Sequence, residues 1–487
     1  MSTYHYVACD LGAESGRVML GTLANGKLTL EEVHRFPNGP ITINGTLRWD
    51  VLRLFDEMKA GLRKVAARGL PVASLSTDSW GVDYVWLRDG EPQLTAAFHY
   101  RDPQRSTGAY ERVFAVASQD EIFAETGIQF MPINTLYQLH WDMVNRPWLL
   151  KCADRFLPIA DYYNYLFSGV SKCEASLAST TQLYNPKRKK WSKSLAKKIG
   201  LKTKLLPEIC PSGAVLGPLL PEFELPGAQV VATCSHDTGA AVAAVPADGK
   251  GWAYISSGTW SLLGIETKKP VINDKSRQYN FTNEVGYGHS IRLLKNIIGL
   301  WIVQECRRAW AKQGQEYNYD QITQMAADTP PLKSLIHPND TRFLAPDNMP
   351  HKIADYCRET NQAVPATPGE FIRCTLESLA LLYRHVLDQM EDVAGQKLTT
   401  LHIVGGGTKN RLLNQFSANA TGRTVIAGPV EATAAGNVLI QALALGHIVT
   451  LRELRTIVRQ SFPVETYQPQ DALTWQQAYD RFQKLPA

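Results

Sequence analysis

Apolar residues near the start of the chain fall into short runs separated by small or polar residues. The runs YHYVACDL and GRVMLGTL are joined by a small, glycine-bearing turn, a pattern that predicts a β-hairpin. KLTLEEVHRF continues the pattern as a further strand. DVLRLFDEMKAGLRKVAARG has apolar residues at helical spacing and predicts a helix that ends at Gly69. VASLSTDSWGVDYVWLRDG then predicts a strand pair bent at Trp80 and Gly81. The strand–helix–strand order indicates an α/β fold.

A similar pattern returns near residue 250. GWAYISSGTWSLLGIET predicts a strand, a small turn and a returning strand, and LHIVGGGTKNRLLNQF predicts a strand, three glycines and a helix. Because the two hairpins share this arrangement, we interpret them as a faint internal duplication with one hairpin in each of two lobes. The boundary is expected between Ala244 and Gly251, which gives domains of residues 1–246 and 247–487.

Three segments in the second half predict helices. LLKNIIGLWIVQECRRAW and FIRCTLESLALLYRHVLDQMEDV carry apolar residues at i, i+3, i+4 and i+7, most of which are expected in the core. EATAAGNVLIQALALG is rich in small residues, which permit a close approach of its backbone to a neighbouring element or a ligand.

Composition and charge indicate an ordinary globular protein and give no sign of nucleic-acid binding. The chain has 487 residues, of which 44% are hydrophobic and 20% charged, and a net charge of +5, which is ordinary globular usage for two or more domains. Nine basic residues lie between Lys187 and Lys204 without an acid, and we interpret them as a solvated helix face because no nucleic-acid-binding motif accompanies them.

The cysteines and the N-terminus predict a cytoplasmic protein with free thiols. The eight cysteines form no CxxC pair, and the start MSTYHYVACD has neither a basic nor an apolar signal region. No window reaches the roughly 18 apolar residues of a membrane span. We therefore expect neither a membrane nor a nucleic acid as partner, and the sequence leaves the oligomeric state open.

The first hairpin turn is a candidate phosphate site. A turn with little side-chain bulk lets successive backbone N–H groups form a concave nest for phosphate oxygens, and Arg17 adds a positive charge beside it. Asp10, at the end of the first strand, is a hard oxygen ligand for a divalent cation that bridges to phosphates. Together these residues suggest a magnesium nucleotide. The alternative is an ordinary hairpin with a solvated aspartate.

Two glycine-bearing segments of the second half suggest further nucleotide contacts. Ser257, Gly258 and Thr259 form a second small turn that would contact the phosphates, and the strand end VGGG, residues 404–407, would approach adenine and ribose. A flexible loop is the alternative for the glycines, although a strand leads in and a helix follows. The sequence has no GxxxxGK[ST], no GxGxxG after a strand, no HExxH and no GxSxG.

Asp237 is the candidate catalytic carboxylate. It follows an apolar run and stands between His236 and Thr238, both able to hydrogen-bond a polyol, where a small-residue helix begins. The helix dipole favours its ionised form, so an ordinary pKa near ~3.9 is expected. The alternative is a helix N-cap, which aspartate fills well.

Taken in order, these segments resemble the sugar kinases of the FGGY family. The resemblance rests on DLGAESGRV, STDSWGVDYV, SHDTGAAVAA, YISSGTWSLLG, LKNIIGLW and the stretch from LHIVGGGTKNRLLNQ to VIAGPVEATAAGN, and it extends from about residue 5 to 465. It implies a two-lobe, actin-like, ribonuclease-H-like α/β fold with the active site in the interlobe cleft. It also implies transfer of the γ-phosphoryl group of ATP, with Mg²⁺, to the 1-hydroxyl of L-rhamnulose.

The resemblance assigns roles to residues by motif match. Asp237 would be the catalytic base, and Asp10 would organise Mg²⁺ directly or through water. The residues that would contact ATP are Ala13, Glu14, Ser15, Gly16, Arg17, Thr259, Gln304 and Gly406. The residues that would contact the sugar are Gly81, His236, Asp237, Thr238 and Asn296.

Alternatives remain within and outside this interpretation. Glu14 departs from the small hydroxyl residue frequent in the wider family, so we expect its side chain to face solvent or Arg17 while its backbone N–H serves the phosphates. A kinase for L-fuculose or another related ketose is the nearest rival activity. A non-kinase actin-fold ATPase is the rival from a different class, and Asp237 argues against it.

Overall fold

The computed structural model describes residues 3–89, 91, 93–344 and 346–486, which divide into two compact units. The first unit consists of Met1–Ala244, Glu266–Leu293 and Ala432–Ser461, and the second of Val245–Ile265, Leu294–Glu431 and Phe462–Ala487. The units are thus interleaved along the chain. The domain limits 1–246 and 247–487 stay a prediction.

The described part of the first unit is organised around a six-stranded mixed sheet. The first strand lies at its centre, antiparallel to the second and parallel to the strand that ends at Ser79. The hairpin expected at the N-terminus and its continuation into a third strand are therefore confirmed. In sheet order, the strands are Ala214–Pro218, Gln229–Ala232, Val72–Ser79, Thr3–Leu11, Ser15–Ala24 and Lys27–Pro37.

Helices cover both faces of this sheet. Val18 and Gly21 lie on opposite faces of the second strand because their positions differ by an odd number. A Cβ on Gly61 of helix Val51–Ala66 would lie 2.4 Å from a Val18 methyl group, and one on Gly21 would lie 2.7 Å from Val438. The predicted first helix is confirmed. The sheet core is apolar on both sides, and its parallel centre agrees with the α/β class.

The strand pair expected across Trp80 and Gly81 is wrong. The chain does turn at these residues, but the strands Val72–Ser79 and Tyr84–Leu87 do not pair with each other. Tyr84–Leu87 is instead antiparallel to Arg155–Pro158, a partner that local sequence does not reveal.

The remaining elements of the first unit surround the sheet and build a second apolar cluster. The other strands are Pro40–Ile43, Thr46–Trp49, Lys172–Glu174, Tyr184–Asn185, Lys190–Trp191, Glu208–Cys210 and Thr282–Val285. The other α-helices are Pro103–Ser106, Ala109–Phe114, Gln119–Thr126, Thr135–Asn145, Leu149–Cys152, Ile159–Ser168, Ala175–Thr180, Lys193–Lys198, Asp237–Ala243, Asp274–Gln278, Ala432–Ala444 and Leu451–Ser461. Short 3₁₀ turns cover Thr203–Leu205, Pro221–Phe223 and Tyr287–His289.

The second unit has its own mixed sheet, and its predicted hairpin is confirmed. A strand runs through Ile291–Ile298, where the helical spacing predicted one continuous helix. The helix begins only at Trp301, after Gly299 and Leu300, because the β-branched residues before it pair in the sheet. In sheet order after the edge strand Thr282–Val285, the strands are Ile291–Ile298, Trp260–Thr267, Trp252–Ser257, Thr400–Val404, Thr424–Ala427 and Glu465–Tyr467.

The longest helix of the second unit is confirmed and has a complete N-terminal cap. Thr367 accepts the Glu370 N–H group in a capping box, and Pro368 occupies the first turn. The α-helices are Trp301–Ala311, Tyr319–Ala327, Met349–Glu359, Pro368–Ala394, Arg411–Thr421 and Ala472–Phe482, with 3₁₀ turns at Thr341–Phe343 and Gly406–Lys409.

Two further features of the whole chain bear on the expectations. The eight cysteines are free thiols, of which seven are buried and Cys152 is half-buried. Among the described residues, no helix combines the length and the apolar character that a bilayer crossing requires.

Candidate active site

The first hairpin turn is held from one side by Asn38. The Asn38 side chain donates to the carbonyl oxygen of Gly12 (2.7 Å), and its backbone N–H donates to that of Glu14 (3.0 Å). Gly12 donates its own N–H to the carbonyl oxygen of Ser15 (2.9 Å). This bond closes the turn and fixes its shape. The Glu14 side chain is exposed, which agrees with the expected outward orientation.

A carboxylate and a guanidinium face each other at the base of this turn. Asp10 and Arg17 are cross-strand partners, and Arg17 donates to the Asp10 carboxylate. Both side chains are largely buried, with exposed fractions of 9% and 16%. The Arg17 charge, which was expected to face phosphate, is therefore shared with Asp10 in this structure.

Asp78 is a member of the site that sequence reasoning missed. It is the parallel-strand neighbour of Asp10 and is fully buried. Its Oδ2 accepts the side-chain N–H of Asn437 (2.5 Å), whereas its Oδ1 is buried without a hydrogen-bond partner in the described part of the chain. Burial, and then the negative charge of Asp10, raises the pKa of Asp78 well above its ordinary value.

The small-residue helix Ala432–Ala444 carries Asn437, the hydrogen-bond partner of Asp78, and Gln441, which holds Asn437. Gln441 donates to Asn437 (2.7 Å) and to the Val7 carbonyl oxygen (2.9 Å), and it accepts from the Ser74 hydroxyl (2.7 Å). A Cβ on Gly436 of the same helix would lie 1.9 Å from the Ala240 carbonyl oxygen. The close approach expected of this helix is thus made to the backbone of helix Asp237–Ala243.

Asp237 is the first residue of its helix rather than its N-cap, a position taken by His236. Its Oδ1 accepts the N–H of Thr238 (2.6 Å) and lies 3.2 Å from the Thr238 hydroxyl. The side chain keeps 28% of its surface exposed, so a substrate hydroxyl can reach it.

The expectation of an ordinary pKa for Asp237 is wrong. Burial is the largest influence and raises its pKa, and the negative charge of Asp10 raises it further. His236 and the N–H and hydroxyl groups of Thr238 lower it without reversing the direction. The dipole of a seven-residue helix does not offset this loss of hydration.

Two buried charged residues, also missed from the sequence, orient His236. Its Nδ1 lies 3.2 Å from Glu284 Oε2 and 3.1 Å from Arg292 Nη2, and these two groups are 3.1 Å apart. Its Nε2 points to Asp237 Oδ1, at 3.4 Å. The only signal in the sequence was a glutamate in strand Thr282–Val285 and an arginine in strand Ile291–Ile298.

Glu174 fixes the backbone that leads into this site. It is fully buried, and its carboxylate accepts the Ser235 N–H (3.0 Å), the Ser212 hydroxyl (2.5 Å) and the Ser176 N–H (2.9 Å). The Ser176 hydroxyl in turn accepts the His236 N–H (3.0 Å). The segment before Asp237 is thus held at two consecutive N–H groups.

Gly81 lies close to the same segment. Ser79 forms a parallel bridge with His236 and donates its N–H to Ser235 (2.9 Å), which places the following turn next to the start of the Asp237 helix. A Cβ on Gly81 would lie 3.0 Å from the Thr180 hydroxyl. The structure therefore brings Asp10, Gly81, His236, Asp237 and Thr238 together in the first unit.

The second hairpin turn is held by the start of helix Trp301–Ala311. The N–H groups of Gly299 (3.2 Å) and Trp301 (3.2 Å) donate to Thr259, and that of Leu300 donates to Gly258 (3.0 Å). A Cβ on Gly299 would lie 2.7 Å from Ser261, so this approach requires glycine. The half-buried Thr259 is accessible at the turn.

The three glycines after strand Thr400–Val404 have different roles. Gly405 has a φ of +89°, and a Cβ on Gly407 would lie 2.0 Å from the Ser257 hydroxyl. Gly405 is therefore explained by its backbone conformation, and Gly407 by its contact with the neighbouring strand. Gly406 is exposed, and a Cβ there would have no described atom within 4 Å apart from those of its chain neighbours, so of the three glycines this one adjoins open space.

The other two predicted site residues also belong to the second unit. Gln304, one turn into helix Trp301–Ala311, has a buried Oε1 without a hydrogen-bond partner among the described residues. Asn296 is half-buried in strand Ile291–Ile298. The second unit thus contains Thr259, Gln304, Gly406 and Asn296.

Comparisons with known proteins assign the chain to a family. The model of the N-terminal domain of the FGGY family of carbohydrate kinases matches residues 5–244, and that of the C-terminal domain matches residues 253–445. A protein named rhamnulokinase from Bacteroides thetaiotaomicron is 42% identical over 482 residues, which are 98% of each chain. Another of that name from Bacillus subtilis is 39% identical over 470 residues, 96% of each chain.

Solved structures of sugar and polyol kinases share the fold. A gluconate kinase from Lactobacillus acidophilus superimposes with a TM-score of 0.80 at 16% identity, covering 99% of this chain and 97% of its own. A glycerol kinase from Plasmodium falciparum, solved with ADP, gives 0.78 at 15% identity with the same coverage. The expected two-lobe, actin-like α/β fold is confirmed, and the chain belongs to the FGGY family of carbohydrate kinases.

Proposed function

We propose that this protein transfers the γ-phosphoryl group of ATP to the 1-hydroxyl of L-rhamnulose, giving L-rhamnulose 1-phosphate and ADP in L-rhamnose catabolism. The observation that carries the proposal is the similarity to proteins named rhamnulokinase, at 42% identity over 98% of the chain. It extends over the segments that contain the candidate site, so the resemblance does not rest on one motif.

Asp237 is the proposed base. Phosphoryl transfer mainly requires positioning of the reactants and neutralisation of charge. A carboxylate that remains 28% exposed, with His236 Nε2 3.4 Å from the same oxygen that binds Thr238, can orient the attacking hydroxyl and accept its proton. Its raised pKa brings its basicity closer to that of a useful general base.

The two turns are the proposed phosphate-binding elements. In the first unit, the backbone of residues 13–16 would bind phosphate oxygens, with Arg17 anchored by Asp10. In the second unit, Thr259 and the unpartnered Gln304 Oε1 offer polar groups to the nucleotide, and the open space at Gly406 suits adenosine.

Mg²⁺ fits the acidic end of the first turn. Asp10 and the unpartnered Asp78 Oδ1 are hard oxygen ligands on neighbouring strands. The described residues contain no group of three or more side chains that would hold a metal alone, which agrees with a cation that binds together with the phosphates. When bound, it would neutralise phosphate charge.

The proposed sugar contacts are Gly81, His236, Asp237, Thr238 and Asn296. The Glu284–Arg292 pair fixes the orientation of the His236 ring, and Glu174 fixes the backbone before it. Hydroxyl groups need donors and acceptors at defined positions, and these supports keep both in place. We also propose a cytoplasmic location, since all eight cysteines are free thiols.

A coupled assay of ADP release tests the proposal. The purified protein is given ATP and Mg²⁺ with a panel of ketoses and aldoses that includes L-rhamnulose and L-fuculose. Rapid release with L-rhamnulose is expected, and ³¹P NMR should identify the 1-phosphate. Preference for L-fuculose would assign the substrate to the rival ketose, and sugar-independent release would favour a non-kinase ATPase.

A further inference from the structure

Asp83, two residues after Gly81, is a buried carboxylate with four N–H donors. Its Oδ2 accepts the indole N–H of Trp49 (2.6 Å), the indole N–H of Trp80 (3.1 Å) and the backbone N–H of Tyr100 (3.1 Å). Its Oδ1 accepts the side-chain N–H of Gln138 (3.0 Å). One oxygen thus joins three separate parts of the first unit.

The groups that Asp83 joins form a continuous aromatic stack. The ring centroids of Trp49 lie 4.1 Å from those of Trp80 and 4.2 Å from those of His99, and His99 and Tyr100 are 4.5 Å apart. These spacings are those of rings in direct contact. Within the stack, Trp80 is the residue that directly follows the strand Val72–Ser79.

Trp80 connects this stack to the proposed sugar site. It stands between Ser79, which bridges to His236, and Gly81, one of the proposed sugar contacts. Asp83 also donates its own N–H to the Gly81 carbonyl oxygen (2.9 Å), so it holds the turn from both its backbone and its side chain.

We propose that Asp83 is a positioning residue for the ketose: by accepting the Trp80, Trp49 and Tyr100 N–H groups, it fixes the Trp80–Gly81 turn beside Asp237. This inference rests on the proposed function and names no new contact with the sugar. A carboxylate suits the task because one oxygen of an ionised group can accept several donors. Burial raises the pKa of Asp83 to about 6, and its four donors limit the rise, so it is charged at neutral pH.

Two variants test the inference by steady-state kinetics. Asp83→Asn keeps the shape but weakens acceptance of the three N–H groups, and Trp80→Phe keeps the ring but removes one donor. Each is expected to raise the KM for L-rhamnulose by about tenfold or more, as the loss of a charge-assisted hydrogen bond predicts. The KM for ATP should change less than about twofold, since the proposed phosphate contacts are untouched.

A matched control removes the same kind of bond elsewhere. The indole N–H of Trp86 donates to another buried carboxylate, Asp142 (2.8 Å), in the second apolar cluster of the unit. Trp86→Phe should leave both KM values within about twofold of wild type, the size of change expected without a lost substrate contact. The double variant Asp83→Asn/Trp80→Phe should raise the sugar KM little beyond the effect of Asp83→Asn alone, because the Trp80 bond that the second change removes is already weakened by the first.

The outcomes separate this inference from the proposed function. If L-rhamnulose is phosphorylated but Asp83→Asn and Trp80→Phe leave its KM unchanged, or raise the KM for ATP as much as the KM for the sugar, Asp83 is merely structural and the inference is wrong. If Asp83→Asn does not fold, the sugar KM of Trp80→Phe is compared with that of Trp86→Phe, and this comparison decides. If another ketose proves to be the substrate, the proposed function is wrong and the same test is made with that sugar. If no sugar is turned over or bound in calorimetry, both fail.

Discussion

The two turns both connect antiparallel strands, but the polar groups around them differ. Asp10 pairs with Arg17 across the first hairpin, whereas Ser257 pairs with Ser261 across the second. The first turn is held by an asparagine side chain, and the second by three backbone N–H groups at the start of a helix. Charged groups thus surround the first turn, and hydroxyl and amide groups surround the second.

This difference indicates a division of labour. In the first unit, the charge of Asp10 raises the pKa of both Asp78 and Asp237, so chemistry that involves cations and protons belongs there. In the second unit, the open space at Gly406 and the unpartnered Gln304 Oε1 suit a bulky neutral group. Changes at Asp237 in the first unit should therefore affect kcat, and changes at Gly406 in the second should affect nucleotide affinity.

The largest effect is expected from Asp237→Asn. The amide keeps the shape and can still accept the Thr238 N–H group, but it cannot take a proton from the substrate. General-base losses are about 10²–10⁴-fold, and kcat should fall by that order while ATP affinity, measured by titration, survives. Asp248→Asn is the control, since Asp248 also accepts the N–H of its next neighbour but is exposed. Retention of more than about a tenth of wild-type kcat would assign the base to another residue.

The acid limb of the pH profile should show the raised pKa of Asp237. A base acts when it is ionised, so activity is present above its pKa and is lost as the pH falls through it. Because burial and Asp10 raise that pKa, the decline should begin above the ordinary value of ~3.9 and continue at about tenfold per pH unit. The measurement is kcat between pH 4 and 8, with stability followed by circular dichroism. A limb that persists unchanged in Asp237→Asn would belong to a different group.

In the second unit, Gly406→Val should weaken ATP binding by about tenfold or more by filling space assigned to adenosine. Among the described residues, none beyond its chain neighbours has an atom within 4 Å of the added Cβ, so the variant should fold normally. Gly407→Ala is the contrast, because its Cβ would collide with Ser257 and should destabilise the fold by about 1–3 kcal/mol. Calorimetric titration of ATP and thermal melting separate the two effects, and unchanged ATP affinity in Gly406→Val would remove the adenosine assignment.

The smallest effect is expected from charge that lies outside both turns. Lys189, Lys190, Lys197 and Lys198 are exposed, and Lys198 forms a surface ion pair with Glu121. Exposed charges are weakly coupled and screened by salt, so replacement of the four lysines by glutamine should leave kcat and both KM values nearly unchanged. A large loss of kcat in a folded variant would show that this basic segment is functional.

Local pattern predicted the parts of the fold that local contacts determine. Both hairpins and the long helix Pro368–Ala394 follow from apolar spacing and turn residues. Residues 293–298 were assigned to a helix because short apolar runs fit both periods, and pairing within the sheet placed them in the strand Ile291–Ile298. The partner of Tyr84–Leu87 lies far along the chain and has no local signal.

The sequence predicted those site residues whose type, within a single motif, suggests a role. Asp10, His236 and Asp237 stand in such motifs, whereas Asp78 owes its place to Asp10 on a neighbouring strand and to Asn437, 359 positions away. The pKa of Asp237 was misjudged for the same reason, since the burial and the nearby charge come from tertiary structure. Glu284 and Arg292 likewise gain meaning only beside His236.

The interleaving of the two units has a consequence for biosynthesis. Gln441 and Asn437, in a segment made late in translation, hold the strands of Val7, Ser74 and Asp78 in the first unit. N-terminal domains often fold first on the ribosome. A nascent chain that has passed residue 246 nevertheless still lacks helix Ala432–Ala444, which packs on one face of its first sheet. A fragment cut there would expose apolar sheet surface, so the enzyme cannot be divided into two independently expressed halves at that point.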